Sequence, residues 1–351
     1  MDLNPNLWHG KRVLLTGHTG FKGSWLTLLL RDLGAEVVGL SLAPISPQSL
    51  YTDARIGSEV SSEFLQDIRD GASVERAIGA SRIEYVFHLA AQAYVRRSVK
   101  NPVESFTTNI LGTANVVLSA LASSTVLGVT VVTTDKVYEN FGGKTPFNEL
   151  DKLGGLDPYS ASKAAAELVV SSIRSSNNPH NIPVTTVRAG NVIGGGDWGE
   201  ERLVPDLVNA LHNDRPLLIR NPNATRPWQH VLDCLFGYLL VAQSHIEKKI
   251  DVPESFNFGP KESLSVIELV SLFEVAFGKK LKYDTVHSSI PETEWLALDS
   301  ALAHGYLGWK TSFTQVESVI QTAQWYTKLR NGTDARELMS QDISKFKINK
   351  W

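Results

Sequence analysis

Short apolar runs alternate with amphipathic stretches through the first half of the chain. The runs predict β-strands at residues 12–16, 36–41, 84–89, 129–133 and 184–188. The amphipathic stretches predict helices at residues 22–33, 73–78, 103–122 and 159–174. Strands that alternate with helices join through right-handed crossovers and pair in parallel. We therefore predict an α/β fold built on a doubly wound, Rossmann-type parallel sheet.

The alternation ends after residue 188. A glycine-rich loop at residues 194–199 is followed by mixed helices and short strands, punctuated by prolines. We predict a dinucleotide-binding domain at residues 1–188, to which residues 228–256 return, and a smaller mixed α/β substrate lobe at residues 189–227 and 257–351. Helices 103–122 and 159–174 carry apolar and small side chains on more than one face. This indicates either burial under the sheet or a subunit interface, so we predict a homodimer and leave a tetramer open.

Composition narrows the class of protein. A chain of 351 residues exceeds the usual size of a single core. The net charge of −3, with scattered basic residues, argues against a nucleic-acid or membrane partner. The single cysteine, Cys234, excludes an intramolecular disulfide, and the nine histidines lack zinc-site spacing, so no metal is predicted. Without a signal peptide or an uninterrupted apolar span, the chain is predicted to be soluble and cytoplasmic.

A glycine-rich turn follows the first predicted strand and opens the first predicted helix. Its glycines have the spacing G-x-x-G-x-x-G, and such a turn lets a dinucleotide pyrophosphate approach a helix N-terminus. The alternative is a tight turn without a ligand. Ser41 stands where a ribose-binding carboxylate usually ends the second strand, so NAD and NADP both remain open. Asp67 and Ile68 either flank the adenine or lie on a solvated turn. The predicted cofactor contacts here are Gly17, Thr19, Gly20, Phe21, Lys22, Gly23, Ser41, Asp67 and Ile68.

Tyr159 and Lys163 lie one helical turn apart, on the same face of a predicted helix. A phenol titrates near 10, so a tyrosine base at neutral pH needs its anion stabilised by roughly 3 units, or about 4 kcal/mol. The cationic Lys163 and an oxidised nicotinamide ring together are suited to supply this. A cofactor turn and such a phenol predict hydride chemistry.

Three polar residues, Thr134, Asp135 and Lys136, directly follow the strand predicted at 129–133. Ligands of open α/β sheets bind at the carboxyl ends of strands. A dehydration needs a base and an acid as well as a hydride acceptor, and Asp135 and Lys136 beside Tyr159 provide this pair. The alternative is an Asp–Lys pair on a surface turn.

With these residues, the chain resembles the extended short-chain dehydrogenases/reductases that modify nucleotide sugars and, within them, the CDP-glucose 4,6-dehydratase family. The resemblance runs from Lys11 to about Tyr326. The glycine turn and Tyr-x-x-x-Lys mark only the superfamily. More selective are the segments TDKVYEN at 134–140, GGGDW at 194–198 and RPWQH at 226–230, and HLAAQ at 88–92 also matches.

The resemblance implies NAD as cofactor, CDP-glucose as substrate and an intramolecular redox cycle. Tyr159 would take the 4-hydroxyl proton as hydride leaves C4, with Thr134 bonded to the same oxygen. Lys136 would then remove the C5 proton, Asp135 would protonate the departing 6-hydroxyl, and the hydride would return to C6. An ammonium is not a base, so Lys136 must be neutral in part of the cycle. Such enzymes serve deoxysugar synthesis, including that of lipopolysaccharide O-antigen.

The resemblance also implies further contacts. Arg226 is the first choice for the substrate diphosphate, because a guanidinium matches phosphate geometry. Arg97 and Arg202 are second choices, with a surface salt bridge as the alternative for each. The further cofactor contacts are Leu89, Ala90, Ala91, Gln92, Thr108 and Thr133, together with Tyr159 and Lys163. The substrate contacts are Gln92, Arg97, Asn191, Arg202, Leu203, Arg226 and His230.

Two other functions remain open. A nucleotide-sugar 4-epimerase shares the first oxidation but has no use for an acid–base pair at C5 and C6. A dinucleotide-sensing regulator on the same fold would not need Tyr159, Lys163 and Asp135 together.

Overall fold

A parallel sheet organises the chain in a computed structural model that describes residues 2–286 and 293–350, with side chains to residue 347. The strands are β1 Arg12–Thr16, β2 Glu36–Ser41, β3 Ser62–Leu65, β4 Tyr85–His88, β5 Val129–Val132, β6 Val184–Ala189, β7 Val192–Ile193, β8 Leu217–Ile219, β9 Thr225–Arg226, β10 Gln229–His230, β11 Ser255–Phe258, β12 Leu264–Ser265 and β13 Tyr283–Thr285. The α-helices are α1 Phe21–Asp32, α2 Leu50–Asp53, α3 Gly71–Ser81, α4 Val95–Lys100, α5 Pro102–Phe106, α6 Thr113–Ala122, α7 Pro158–Ser176, α8 Leu203–Asn213, α9 Val231–Ile246, α10 Val266–Phe277, α11 Ala301–Leu307, α12 Gln315–Arg330 and α13 Ala335–Lys350.

Seven strands form the central sheet in the order β11-β6-β5-β4-β1-β2-β3, and every neighbouring pair is parallel. The strand order reverses beside β1: β2 and β3 extend the sheet on one side of β1, and β4 and the later strands extend it on the other side. In open α/β sheets this reversal leaves a crevice at the carboxyl ends of the strands, where ligands bind. The predicted doubly wound parallel sheet is confirmed.

Both faces of the sheet are covered, as the apolar character of its strands requires. Alternate residues of β1 point to opposite faces. Leu14 packs in a core with residues of α3, α6 and α7, whereas Val13 and Leu15 pack in a larger core with α1, α9 and α12. All three side chains are fully buried. The sheet is therefore a rigid platform for its carboxyl-end loops.

The helix predicted at 103–122 is broken in the structure. A π-helical segment, Thr107–Gly112, separates α5 from α6. Within it the buried side chain of Asn109 binds the backbone of Gln92: it accepts a hydrogen bond from the backbone N–H (2.8 Å) and donates one to the backbone carbonyl (3.0 Å). The same side chain also donates to Ser162 Oγ at 2.8 Å. π segments occur most often at functional sites. Here it ties α5 and α6 to the loop after β4.

The chain after β6 contributes to the central sheet and also to smaller strand pairs outside it. The helix α9 packs against α1 and β5, and β11 completes the sheet beside β6. Three two-stranded pairs, β7 with β10, β8 with β13 and β9 with β12, lie outside the central sheet. The predicted division into two lobes stays a prediction. Among the helices described, none combines the length and apolar character needed to cross a membrane.

Candidate active site

A cleft of about 1490 Å³ lies at the carboxyl ends of the sheet strands. It extends from the turn between β1 and α1 to the loops around α8 and β9. All the predicted site residues line it except Gln92 and His230. Its volume exceeds that of a usual single-ligand pocket, as two bound nucleotides would require.

The glycine turn forms one wall of the cleft. Gly17 has a φ of +77°, and a β-carbon on it would lie 2.7 Å from the Ala90 nitrogen. A β-carbon on Gly23 would lie 2.1 Å from the Gly17 carbonyl oxygen. Gly20 caps α1, so the free N–H groups of that helix face the turn. This cradle fits the diphosphate of NAD.

The end of β2 offers hydroxyl groups instead of a carboxylate. Thr19 Oγ1 lies 2.7 Å from Ser41 Oγ and donates to the Leu42 carbonyl at 2.9 Å. Asp67 lines the cleft and is also ion-paired with Arg69 at 2.6 Å, which lowers the pKa of Asp67. Asp67 therefore combines both alternatives considered for it, since it lines the cleft and is also a partly exposed carboxylate in an ion pair.

Tyr159 and Lys163 lie in the first turns of α7. The helix begins at Pro158, capped by the Asp157 side chain, which accepts from the Ser160 amide at 3.0 Å. Lys163 Nζ donates to the Val132 carbonyl at 2.9 Å. Burial, assisted by the charge of Lys22, lowers the pKa of Lys163 to about 8, while burial raises the pKa of Tyr159 to about 12. The protein's own side chains therefore do not lower the pKa of Tyr159, because burial raises it more than the neighbouring hydrogen bond and positive charge lower it.

Thr134, Asp135 and Lys136 follow β5 in a 3₁₀ turn. Thr134 Oγ1 donates to Asp135 Oδ1 at 3.1 Å. The Thr134 hydroxyl also favours the phenolate of Tyr159 and so lowers the pKa of Tyr159, against the larger opposing effect of burial. Asp135 is 3% exposed, and its Oδ2 has no hydrogen-bond partner among the described residues. Burial raises the pKa of Asp135. A carboxyl group in this environment retains a proton more readily and is suited to act as an acid.

A buried ion pair supports these residues and was not predicted. Arg188 binds Glu167 with two hydrogen bonds of 2.9 Å, and Glu167 also accepts from the hydroxyls of Thr133 (2.5 Å) and Thr186 (2.6 Å). Glu167 lies one helical turn after Lys163. The pair therefore joins α7 to the ends of β5 and β6. Its signal in the sequence was the i+4 spacing from Lys163.

Two predicted contacts are corrected. The Gln92 side chain is occupied by the protein: its amide donates to Ser105 Oγ (2.7 Å) and the Tyr94 carbonyl (3.1 Å), and its oxygen accepts from the Tyr94 amide (2.6 Å). His230 is buried against Phe313, and its Nδ1 caps α9 by accepting from the Leu232 amide. Neither side chain lines the cleft.

The predicted arginines all line the cleft but differ in their partners. Arg97 is paired with Glu104 at 2.6 Å, which is the alternative considered for it. Arg202 is paired with Asp197 at 3.1 Å, and Arg226 is buried and donates to the Thr225 carbonyl at 2.9 Å. Among the lining residues that sequence reasoning did not single out are Tyr94, Asp206 and Arg220. Arg220 directly follows the apolar run of β8, which was its only signal.

No group of three or more His, Cys, Asp or Glu side chains suited to a metal is found in the described part of the chain. His88 is buried and hydrogen-bonded to Thr16 (2.7 Å) and Thr113 (2.9 Å).

Known proteins resemble the chain over its whole length. The model of the NAD dependent epimerase/dehydratase family matches residues 13–259. A CDP-glucose 4,6-dehydratase from Salmonella typhimurium is 37% identical over 98% of this chain and 98% of its own length. A UDP-glucose 4-epimerase from Neisseria meningitidis serogroup C is 25% identical over 92% of this chain and 99% of its own.

A solved structure extends this comparison to the fold. The dTDP-glucose 4,6-dehydratase DesIV from Streptomyces venezuelae, with NAD bound, has a TM-score of 0.79 and 24% sequence identity, covering 91% of this chain and 98% of that one. The family model and the sequence relatives agree on the family, and the solved structure agrees on the fold. The chain belongs to the NAD dependent epimerase/dehydratase family.

Proposed function

We propose that the protein is a CDP-glucose 4,6-dehydratase, which converts CDP-D-glucose into CDP-4-keto-6-deoxy-D-glucose and water. The observation that carries this proposal is the buried carboxyl group of Asp135, which has one oxygen without a partner among the described residues and accepts with the other from Thr134, whose hydroxyl favours the phenolate of Tyr159. An acid at this point is needed for a dehydration and not for a simple oxidation. The identity of 37% over the full length of the Salmonella typhimurium dehydratase supports the same activity.

The oxidation half of the reaction uses α7 and the loop after β5. Bound NAD supplies the two-electron acceptor and donor, held by the cradle of Gly17, Gly20 and Gly23. Tyr159 accepts the proton of the sugar 4-hydroxyl, and Thr134 orients the same oxygen. Because burial raises the pKa of Tyr159 to about 12, this step depends on positive charge from Lys163 and the cofactor.

The elimination half uses the neighbouring acid and base. The 4-ketone acidifies the C5–H bond, and Lys136 in its neutral form takes that proton. The C6–O bond breaks as Asp135 protonates the leaving hydroxyl, which departs as water. Reduction at C6, with return of the proton from Lys136 to C5, completes the product. The proton that Tyr159 accepted in the oxidation balances the one that Asp135 gave to the departing water. A burial-raised pKa for Asp135 favours the protonated carboxyl group that this step consumes.

A panel of nucleotide sugars tests this function. The protein should convert CDP-glucose in preference to dTDP-glucose and UDP-glucose into a product lighter by one water, measured by mass spectrometry. No net NADH should accumulate, and deuterium placed at C4 should appear at C6. An unchanged mass with inverted C4 would instead support a 4-epimerase, and stoichiometric NADH would support a simple dehydrogenase. Absence of turnover with every sugar would contradict an enzymatic role.

The protein is further proposed to be a cytoplasmic homodimer that serves deoxysugar synthesis, including that of lipopolysaccharide O-antigen. Exposed apolar side chains lie on each of α5, α6, α7 and the π segment between α5 and α6. Val103 of α5 is 70% exposed and Leu168 of α7 is 62% exposed, and Leu111 of the π segment and Leu118 of α6 are exposed as well. Such a face on a soluble protein indicates a subunit interface. Sedimentation analysis should give a dimer, and Leu118→Glu with Leu168→Glu should give a monomer. A wild-type monomer at micromolar concentration would contradict this assembly.

A further inference from the structure

The glycine-rich loop at residues 194–199 packs tightly against neighbouring helices. A β-carbon on Gly195 would lie 2.0 Å from the Trp325 ring of α12. Gly196 has a φ of +80°, and a β-carbon on it would lie 2.4 Å from Leu50 of α2. The loop therefore sits between α12 and α2, and only glycine fits at these two positions.

Three hydrogen bonds hold the backbone and side chains of this loop from different elements. Trp25 Nε1 of α1 donates to the Gly195 carbonyl at 3.0 Å, and the Tyr326 hydroxyl of α12 donates to the Asp197 carbonyl at 2.7 Å. Trp198 Nε1 donates to Asp53 Oδ2 of α2 at 3.0 Å, and its ring packs edge-on against Tyr326. The loop is fixed from both sides, which gives its side chains a defined position.

The side chain that benefits is Arg202. The Asp197 carboxylate is 4% exposed, and its Oδ1 and Oδ2 accept from Arg202 Nη1 at 3.2 and 3.1 Å. The guanidinium also lies over the Tyr94 ring, 5.3 Å from its centroid. A β-carbon on Gly199 would lie 2.9 Å from Arg202 Cδ, so a side chain at this position would displace the Arg202 side chain.

The ion pair leaves most donors of Arg202 available. Only Nη1 has an acceptor among the described residues, so Nε and Nη2 remain for a ligand in the cleft that Arg202 lines. A guanidinium held on one nitrogen by a carboxylate is pre-organised to bind an anion with the others. The pair with Asp197 also raises the pKa of Arg202, so its charge is permanent.

We propose that residues 194–199 form a positioning loop for Arg202, in which Asp197 directs the remaining guanidinium donors to the diphosphate of the nucleotide sugar. Asp197 is a positioning residue, since it acts through Arg202, and Trp198 supports it by fixing the loop to α2. This inference rests on the proposed function for its ligand, but it concerns the diphosphate and not the base or the reaction.

A double-mutant cycle tests the proposal. The probe is whichever of CDP, UDP and dTDP the NAD-loaded wild-type protein binds most tightly, measured by calorimetry. Asp197→Asn should raise its Kd about tenfold, as expected for losing a charged hydrogen bond. In an Arg202→Met background, Asp197→Asn should add no further loss, because no guanidinium remains to be positioned. With CDP-glucose, the loss should appear in KM with kcat nearly unchanged.

Two further variants separate positioning from general structure. Trp198→Phe keeps an aromatic ring but removes the donor to Asp53 and part of the ring area, and should raise the same Kd by about threefold, again only when Arg202 is present. Glu254→Gln breaks an arginine–carboxylate pair outside the cleft, with Arg174, and should leave the Kd unchanged. If Asp197→Asn does not fold, the Trp198→Phe cycle decides.

An unchanged Kd in the Asp197→Asn and Trp198→Phe variants, or losses that add to that of Arg202→Met, would overturn the proposal. Failure of the proposed function would appear differently, as a wild-type protein that binds a nucleoside diphosphate but dehydrates no nucleotide glucose. The binding cycle still tests the loop in that case.

Discussion

Replacing Tyr159 by phenylalanine is expected to lower kcat for the dehydration of CDP-glucose by about 10²- to 10⁴-fold. The change removes the group that takes the 4-hydroxyl proton, so the first oxidation should fail and bound NAD should stay oxidised when the substrate is added. The fold should survive, because the variant loses a single hydroxyl and its contact with Thr134. Single-turnover absorbance of the reduced nicotinamide measures the step directly.

A matched tyrosine provides the control. The Tyr306 hydroxyl donates to the Ile250 carbonyl at 3.0 Å, and Tyr306 does not line the cleft, so Tyr306→Phe should keep the wild-type rate. Near-normal turnover by Tyr159→Phe would remove Tyr159 from the chemistry.

Asp135→Asn is expected to stop the reaction at a later point, with product formation about 10²- to 10⁴-fold slower. Asparagine has nearly the same shape but no proton to give to the leaving hydroxyl. The variant should therefore still oxidise CDP-glucose at C4, and reduced nicotinamide should accumulate on the protein with little dehydrated product. Stopped-flow absorbance together with product mass distinguishes this trapped state from a loss of binding.

Lys136→Met belongs to the same experiment and examines the base. It should also slow the exchange of the C5 hydrogen with solvent deuterium, because the group that removes that proton is missing. Lys152→Met is the control, since Lys152 is 76% exposed and paired with Glu139. If Asp135→Asn and Lys136→Met both fail at the first reduction, the pair serves binding or tyrosine activation, and the assigned steps are wrong.

Local patterns predicted the parts of the fold that depend on neighbouring residues. The bounds of β1 and β2 agree with prediction because continuous apolar runs there end at polar residues or glycine. The glycine turn and the 134–136 segment were placed on the cleft because parallel sheets bind ligands at one edge. Each inference needed only the strand before the motif.

Other features depend on residues distant in sequence and were not predictable in this way. The break at Thr107–Gly112 accompanies contacts of Asn109 with Gln92 and Ser162. Gln92 was assigned to the ligands because its motif lies near the cleft, but Ser105 and Tyr94 occupy its side chain. The direction of the Tyr159 pKa shift likewise depends on how deeply the side chain is buried, which the neighbouring residues in the sequence do not reveal.

The last strand of the sheet has a consequence for how the protein is made. The strand β6 is buried along its whole length, yet its outer neighbour β11 lies beyond residues 190–254 in the chain. Synthesis of that stretch takes roughly 3 to 13 seconds at about 5–20 residues per second. During this interval the outer edge of β6 has unpaired backbone groups, which can pair with another nascent chain. We therefore expect aggregation during overexpression to depend on the interval between synthesis of β6 and of β11. A lower growth temperature or added chaperones should reduce aggregation by protecting the chain during this interval.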